Sequence, residues 1–223
     1  MKRREFIKDR IYKDVRHAII TFQFQPGEKL SEYTLAEKFE VSRSPVRSVL
    51  QKLESESLVI IDPQRGTFVT KLDYEYILDI IYLRWCVESE LMCQIADQRP
   101  KILLMELREC LKNQAELLKS GKPDPEKFND LDNTFHRAIY AGNHHENLWE
   151  IVQEVNANYL RFRMLDLVQG KSYRNIYDDH CRLLHYMEDG EKGLLRTLLH
   201  QHLNGNTQNN EGIKLEYRDY FTA

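Results

Sequence analysis

The chain has 223 residues, with 32 Lys+Arg against 35 Asp+Glu (formal net charge −3), 42% hydrophobic and 30% charged residues. That composition leaves room for one large or two modest domains, and no apolar run approaches the roughly 18 residues a membrane span needs, so no membrane association is expected. Acids rather than a continuous apolar segment follow the basic start Met1-Lys2-Arg3-Arg4, so no signal peptide is expected and the cytoplasm is the expected location. The four cysteines show no C-x-x-C spacing. Cys86 and Cys93, a heptad apart, read as helix packing rather than a disulfide framework. Charge is unevenly spread: residues 1–71 hold 14 Lys+Arg and 10 Asp+Glu, the remainder 18 and 25. A basic front on an acidic body is the pattern of a DNA-reading module joined to a dimerising or sensing one.

In chain order, Ile7, Ile11, Val15, Ile19 and Phe22 form one apolar stripe and predict a helix over 4–23, broken by Gln25-Pro26-Gly27-Glu28. Ser31 or Glu32 opens a second helix with Leu35, Ala36 and Phe39 inward, and Thr34 with Glu37 has capping-box spacing. After the turn Glu40-Val41-Ser42, a third helix is predicted as far as Ser55. Ser42 or Ser44 can accept from its first amides, and Pro45 sits where a missing N–H costs nothing. Val46, Val49, Leu50 and Leu53 share its buried face, whereas Arg43 and Arg47 lie one turn apart on another. A helix built this way suits the DNA major groove, and helix, short turn, helix is the order of a helix-turn-helix. Two β-branched runs, 58–61 and 66–70, flank Asp62-Pro63-Gln64-Arg65-Gly66 and predict a hairpin wing. Its tip offers Arg65, and Gly66 permits close approach to a phosphate or the minor groove.

The string Pro26-Gly27-x-x-Leu30-Ser31-Glu32-x-x-Leu35-Ala36-Glu37-x-Phe39-x-Val41-Ser42-Arg43-Ser44-Pro45-Val46-Arg47, continued by Leu50, Leu53, Glu56, Leu58, Val59 and Gly66-Thr67-x-Val69, resembles the winged helix of the GntR family of bacterial transcription regulators. The resemblance covers residues 7–71. It implies that Arg43, Ser44 and Arg47 contact DNA from the recognition helix and Gly66 from the wing, with Arg65 beside it. Tyr33 occupies a position where some relatives place an arginine on DNA. Three departures stand out: Glu40 and Ser57 where glycine is usual, and Ser48-Val49 in place of Glu-Ala.

Lys71-Leu72-Asp73 reads as a linker that divides a DNA-binding domain, 1–71, from a helical domain, 72–223. Period and breaks predict six helices there, at 74–97, 101–120, 125–141, 145–168, 173–189 and 191–209. The breaks fall at Arg99-Pro100, Gly121-Lys122-Pro123, Gly142-Asn143, Val168-Gln169-Gly170 and Asp189-Gly190. Turns this short imply an antiparallel bundle, with Tyr82, Tyr159, Phe162 and Trp149 in its core and a frayed polar tail after Asn204. The expected fold class is mainly α, a winged helix-turn-helix followed by a six-helix bundle.

Asp132 and His136 lie one turn apart on one predicted helix, His180 on a later one and His202 on the last. Three imidazoles and a carboxylate from three helices suit zinc or another borderline divalent metal such as nickel. By spacing alone they read first as surface ion pairs or hydrogen-bonded core histidines. However, Asp132-x-x-Phe135-His136-x-x-Ile139 with Ala141-Gly142-Asn143, His180-x-x-Leu183, Gly190-Glu191 and His202-Leu203 resembles the FCD ligand-binding domain, in its VanR-like branch because six helices are predicted. The resemblance implies that Asp132, His136, His180 and His202 hold the metal and that Arg84 faces a ligand carboxylate. Asn158, Arg161 and Arg163, on a helix crossing the bundle, could bind an anion, with Asn158 and Arg161 taken as further effector candidates, although surface salt bridging is the commoner fate of such arginines.

The expected function is therefore a DNA-binding regulator, a repressor in the first instance. It would bind a short inverted repeat of double-stranded DNA as a homodimer and respond to a small carboxylate at a metal site. Its rivals are a metal sensor, a regulator with a structural metal and a protein effector, and a metal-dependent hydrolase. Against the last, the chain has no H-E-x-x-H and no general base beside the ligand set, so no enzyme activity is expected.

Overall fold

The computed structural model describes residues 2–168, 172–205 and 207–222. The chain forms two compact units, one of Met1–Ile77, Glu154–Phe162 and Tyr217–Ala223, the other of Leu78–Gln153 and Arg163–Glu216. No described helix is long and apolar enough to cross a membrane.

The first unit opens with α1 (Lys2–Ile20), followed by the two-residue strand β1 (Lys29–Leu30), α2 (Glu32–Lys38), α3 (Arg43–Ser55) and the hairpin β2 (Val59–Asp62) and β3 (Gly66–Val69). β3 lies between the other two strands, antiparallel to both. Ser31 is the N-cap of α2 and accepts from the Thr34 amide at 3.2 Å, so the start left open between Ser31 and Glu32 falls at Ser31, and Thr34 lies inside the helix. Ser42 holds the N-cap position of α3 without a side-chain bond. Ile11, Val15, Ile19, Leu35, Val46, Val49, Leu50, Leu53 and Leu58 form one core. Leu53 is fully buried there, and truncating such a side chain to alanine costs about 2–5 kcal/mol. Asp62 Oδ1 accepts from the amides of Gln64 (2.8 Å) and Arg65 (3.0 Å), which closes the wing turn and holds the Asp62 carboxyl low.

The second unit holds most of α4 (Tyr74–Gln98), then α5 (Lys101–Leu118), α6 (Pro125–Gly142) and most of α7 (Glu146–Val155). It continues with the end of α8 (Ala157–Val168), α9 (Tyr173–Asp189), α10 (Lys192–Asn204) and α11 (Thr207–Glu216). Asp124 caps α6 by accepting from Glu126 and Lys127, with Pro125 in the first turn, and Gly190 ends α9 with a φ of 80°. α5 packs on α6 and α9, and α9 on α10. Gly142 sits against Leu103, where a methyl group would collide with the leucine side chain.

Several boundaries differ from those expected. The helix predicted over 145–168 is two helices, α7 and α8, parted at Asn156, whose carbonyl accepts the Leu160 amide. Neither glycine nor proline marks that break, so apolar periodicity runs through it. The last predicted helix ends at Asn204, where Gly205 takes a φ of 63°, and α11 forms where a frayed tail was expected. Tyr82 is 63% exposed rather than core, and Cys86 is exposed while Cys93 is buried. The break expected at Val168-Gln169-Gly170 lies, beyond Val168, outside the described residues.

Glu40 and Ser57, which stand where the family resemblance has glycine, take φ values of 54° and 59°. A side chain in this left-handed region costs about 1–2 kcal/mol, offset in part by the extra freedom glycine has when unfolded. Glu40→Gly and Ser57→Gly are each expected to stabilise the first unit by about 0.5–1 kcal/mol in denaturant unfolding. A destabilisation by either would show that side-chain contacts outweigh the backbone.

Candidate metal centre and DNA-reading face

Asp132 and His136 come from α6, His180 from α9 and His202 from α10. All four are buried, and each offers a ligand atom within 4.8 Å of the others. The atoms around them decide which nitrogen faces inward. His136 Nδ1 lies 2.7 Å from Glu88 Oε2, and a carboxylate only accepts, so Nδ1 carries the proton and Nε2 presents its lone pair. His180 Nδ1 lies 3.0 Å from Gln114 Oε1, while Gln114 Nε2 donates to the Leu131 carbonyl at 3.3 Å; that bond orients the amide so that Oε1 accepts from the imidazole. His180 Nε2 is thereby left as an acceptor with no hydrogen-bond partner, 3.5 Å from Asp132 Oδ1. His136 Nε2 and His202 Nε2 stand 3.3 Å apart. Two nitrogens each bonded at about 2.0–2.1 Å to one tetrahedral ion are about 3.3–3.4 Å apart. Buried acceptors facing one another require a cation or a shared proton between them, and a His₃Asp set fits a divalent transition metal.

The electrostatics agree with that donor set. Burial alone would raise the Asp132 carboxyl, but Arg163, whose Nη2 lies 3.3 Å from Asp132 Oδ1, and the surrounding imidazoles hold it well below the usual range. Burial and the neighbouring imidazole bring His202 down to about 3, and burial with the His202 charge drives His180 far below its ordinary value. Both rings are therefore neutral and able to ligate at pH 7. Glu88 is wholly buried; burial raises its carboxyl, but Arg84 and His136 outweigh that and bring it down to about 2. Glu88 Oε1 accepts from Arg84 Nε at 2.7 Å and from the Tyr140 hydroxyl at 3.3 Å. Glu88 is thus a held carboxylate that orients His136, the outer arrangement commonly found behind a ligating histidine.

On the first unit, Arg43, Ser44 and Arg47 are exposed along the front of α3. Arg47 donates from Nε and Nη2 to the two Glu32 oxygens at 3.1 and 3.0 Å, and the Arg43 guanidinium lies 5.4 Å from the Tyr33 ring centroid. On the wing, Arg65 and Lys29 both lie against Phe68, at 5.6 and 5.8 Å. Gly66 has a φ of 107°, a backbone conformation that calls for glycine, and it lies against the flexible end of the Lys29 side chain.

The candidate effector residues have other partners. Arg84 is engaged by Glu88 as above. Asn158 and Arg161 belong to the first unit, whereas the four candidate metal ligands belong to the second. Arg161, fully buried, donates to the Thr70 carbonyl (2.8 Å), the Thr70 hydroxyl (3.2 Å) and Asn158 Oδ1 (3.5 Å), and burial lowers its guanidinium to about 10. His200 stacks edge-on to Trp85 and His185 pairs with Asp189, outside the cluster. No local pattern pointed to Gln114 or Glu32 as partners of these side chains. For Glu88, its position four residues after Arg84 on one helix was the available signal.

Two family models match separate stretches of the chain. Residues 7–69 match the family described as "Bacterial regulatory proteins, gntR family", and residues 79–205 match the FCD domain. The class is therefore a winged-helix DNA-binding transcription regulator with a helical FCD domain. The chain belongs to the GntR family. It is 30% identical over 215 residues to a regulator "in unstable DNA locus" of Streptomyces ambofaciens, covering 96% of this chain and 89% of that one. It is 23% identical over 216 residues to the transcriptional repressor RspR of Escherichia coli (strain K12), covering 97% and 94%. The solved structure of E. coli McbR/YncC has the same fold, with a TM-score of 0.71 at 21% identity over 95% of this chain and 98% of that one.

If the four donors form a metal site, the purified protein is expected to carry close to one divalent transition metal per chain, and His180→Ala or His202→Ala to lose it. Glu88→Gln is expected to weaken metal binding about 10- to 100-fold while leaving the ligands in place. Full metal retention by His180→Ala, measured by elemental analysis, would rule the site out.

Proposed function

We propose that this regulator represses transcription from a short inverted-repeat operator as a homodimer, and that a small carboxylate acting at the metal centre controls its grip. The observation that carries this reading is the convergence of Asp132, His136, His180 and His202, oriented from behind by Glu88 and Gln114. A bound divalent ion supplies an electrophilic anchor for a carboxylate. The chain's own residues do the rest: Glu88 and Gln114 keep two imidazoles facing the ion, and Arg163 balances the Asp132 charge.

α8 is shared by the two compact units. It carries Arg161, which holds Thr70 at the end of the wing strand, and two residues later Arg163, which holds Asp132. An effector shifts operator affinity only insofar as it binds one arrangement better than the other.

A second reading, in which the metal itself is the signal, is favoured by the burial of all four donors, none more than 5% exposed. Operator binding graded by metal alone, with no change on adding organic acids, would favour it. The primary reading expects calorimetric binding of at least one small carboxylate to metal-loaded protein, lost in His136→Ala, and release of operator DNA by the same acid. For the DNA face, Arg47→Ala is expected to weaken operator binding by about 1–3 kcal/mol and to relax one base position. Unchanged affinity at equal salt would remove Arg47 from the reading face.

A further inference from the structure

The two arginines assigned above to base reading do not extend freely from α3. Each rests on a residue of the first turn of α2. Arg47 places its Nε–H and one Nη2–H on the two oxygens of Glu32, at 3.1 and 3.0 Å, although its side chain is 62% exposed. The pairing holds the Glu32 carboxyl below its usual range and raises the Arg47 guanidinium. Arg43 lies over the ring of Tyr33, whose hydroxyl is engaged in turn by Glu37. Exposed ion pairs contribute little to stability, and a solvated long side chain has many rotamers to lose. What a side-on carboxylate supplies here is orientation.

The geometry leaves the opposite edge of Arg47 available. A guanidinium has five N–H groups, and Glu32 takes two from the Nε/Nη2 edge. The two Nη1–H groups and the second Nη2–H point away from Glu32, as the end-on fork that matches guanine O6 and N7. One guanidinium can therefore hold Glu32 and a guanine together. The negative charge of Glu32 on the DNA-facing side also disfavours loose attraction to phosphates, which weighs against non-specific binding.

We propose that the first turn of α2 is a platform that positions both recognition arginines, with Glu32 holding Arg47 and Tyr33 holding Arg43 in base-reading orientation. Glu32 and Tyr33 act on specificity through the arginines rather than as the main source of affinity. The proposal rests on the DNA-reading role of Arg43 and Arg47.

The test uses full-length protein and a duplex selected from a random pool by the wild-type chain, with each base pair of one half-site substituted in turn. The readout is discrimination, the ratio of Kd on substituted and parent duplexes, together with Kd on an unrelated duplex. Glu32→Gln is expected to reduce discrimination about tenfold at the base pair read by Arg47, with no loss of affinity for unrelated DNA. Tyr33→Ala is expected to do the same at the Arg43 base pair, while Tyr33→Phe, which keeps the ring, retains discrimination. In an Arg47→Ala background, Glu32→Gln should produce no further loss of discrimination, because a positioning residue has nothing left to position. Unchanged discrimination in Glu32→Gln, or tighter operator binding with discrimination intact, would overturn the proposal and make Glu32 a mere competing counter-ion. Undiminished discrimination in Arg47→Ala would instead overturn the underlying reading of the recognition helix, so the two failures are distinguishable.

Discussion

Buried lone pairs that face one another are the constraint around which the helical unit is arranged. His136 and His180 are each turned by a fixed acceptor, Glu88 and Gln114, so that their Nε2 atoms face the Asp132 carboxylate and His202. Without a cation or shared proton between them such an arrangement is costly, because desolvated acceptors repel and have no water to replace the lost bonds. Glu88 itself is tolerated in the interior because Arg84, Tyr140 and His136 all engage it. The cluster is thus a layered polar network from α4, α5, α6, α9 and α10.

α8 belongs to both halves of the chain. The division between the compact units falls within it, between Phe162 and Arg163, and an arginine stands close to that division on each side. Arg161 donates to three neutral oxygens, lies 5.8 Å from the Phe22 ring centroid and has a burial-lowered guanidinium, so it is an expensive way to hold a strand end. Arg163 balances the Asp132 carboxylate of the buried His/Asp cluster.

The DNA-reading unit was largely legible in the sequence. The stripe Val46, Val49, Leu50, Leu53 announced the buried face of α3, and the Asp-Pro-x-x-Gly turn announced the wing, because both signals are local and rest on period and turn chemistry. Glu40 and Ser57 show the limit of that legibility: family resemblance marked them as unusual, but their left-handed backbone needed the fold around them. Asp132, His136, His180 and His202 were grouped through resemblance alone, since no two of the histidines share a short motif. Asn156 ended a helix with no local breaker, and Tyr82, on an otherwise apolar helix, faced outward.

Local order, then, was determined by the sequence: which segments coil, where most of them stop, which arginines stand at the head of the recognition helix and which residues are of ligating type. The tertiary structure decided the pairings. It placed Glu32 on Arg47, Gln114 on His180, Glu88 on His136 and Thr70 on Arg161, over separations from 15 to 91 residues. The reason is physical. A helix period reports which face is apolar, but a buried polar atom takes its partner from whichever element packing brings within about 3 Å, and that distance has no period in the chain.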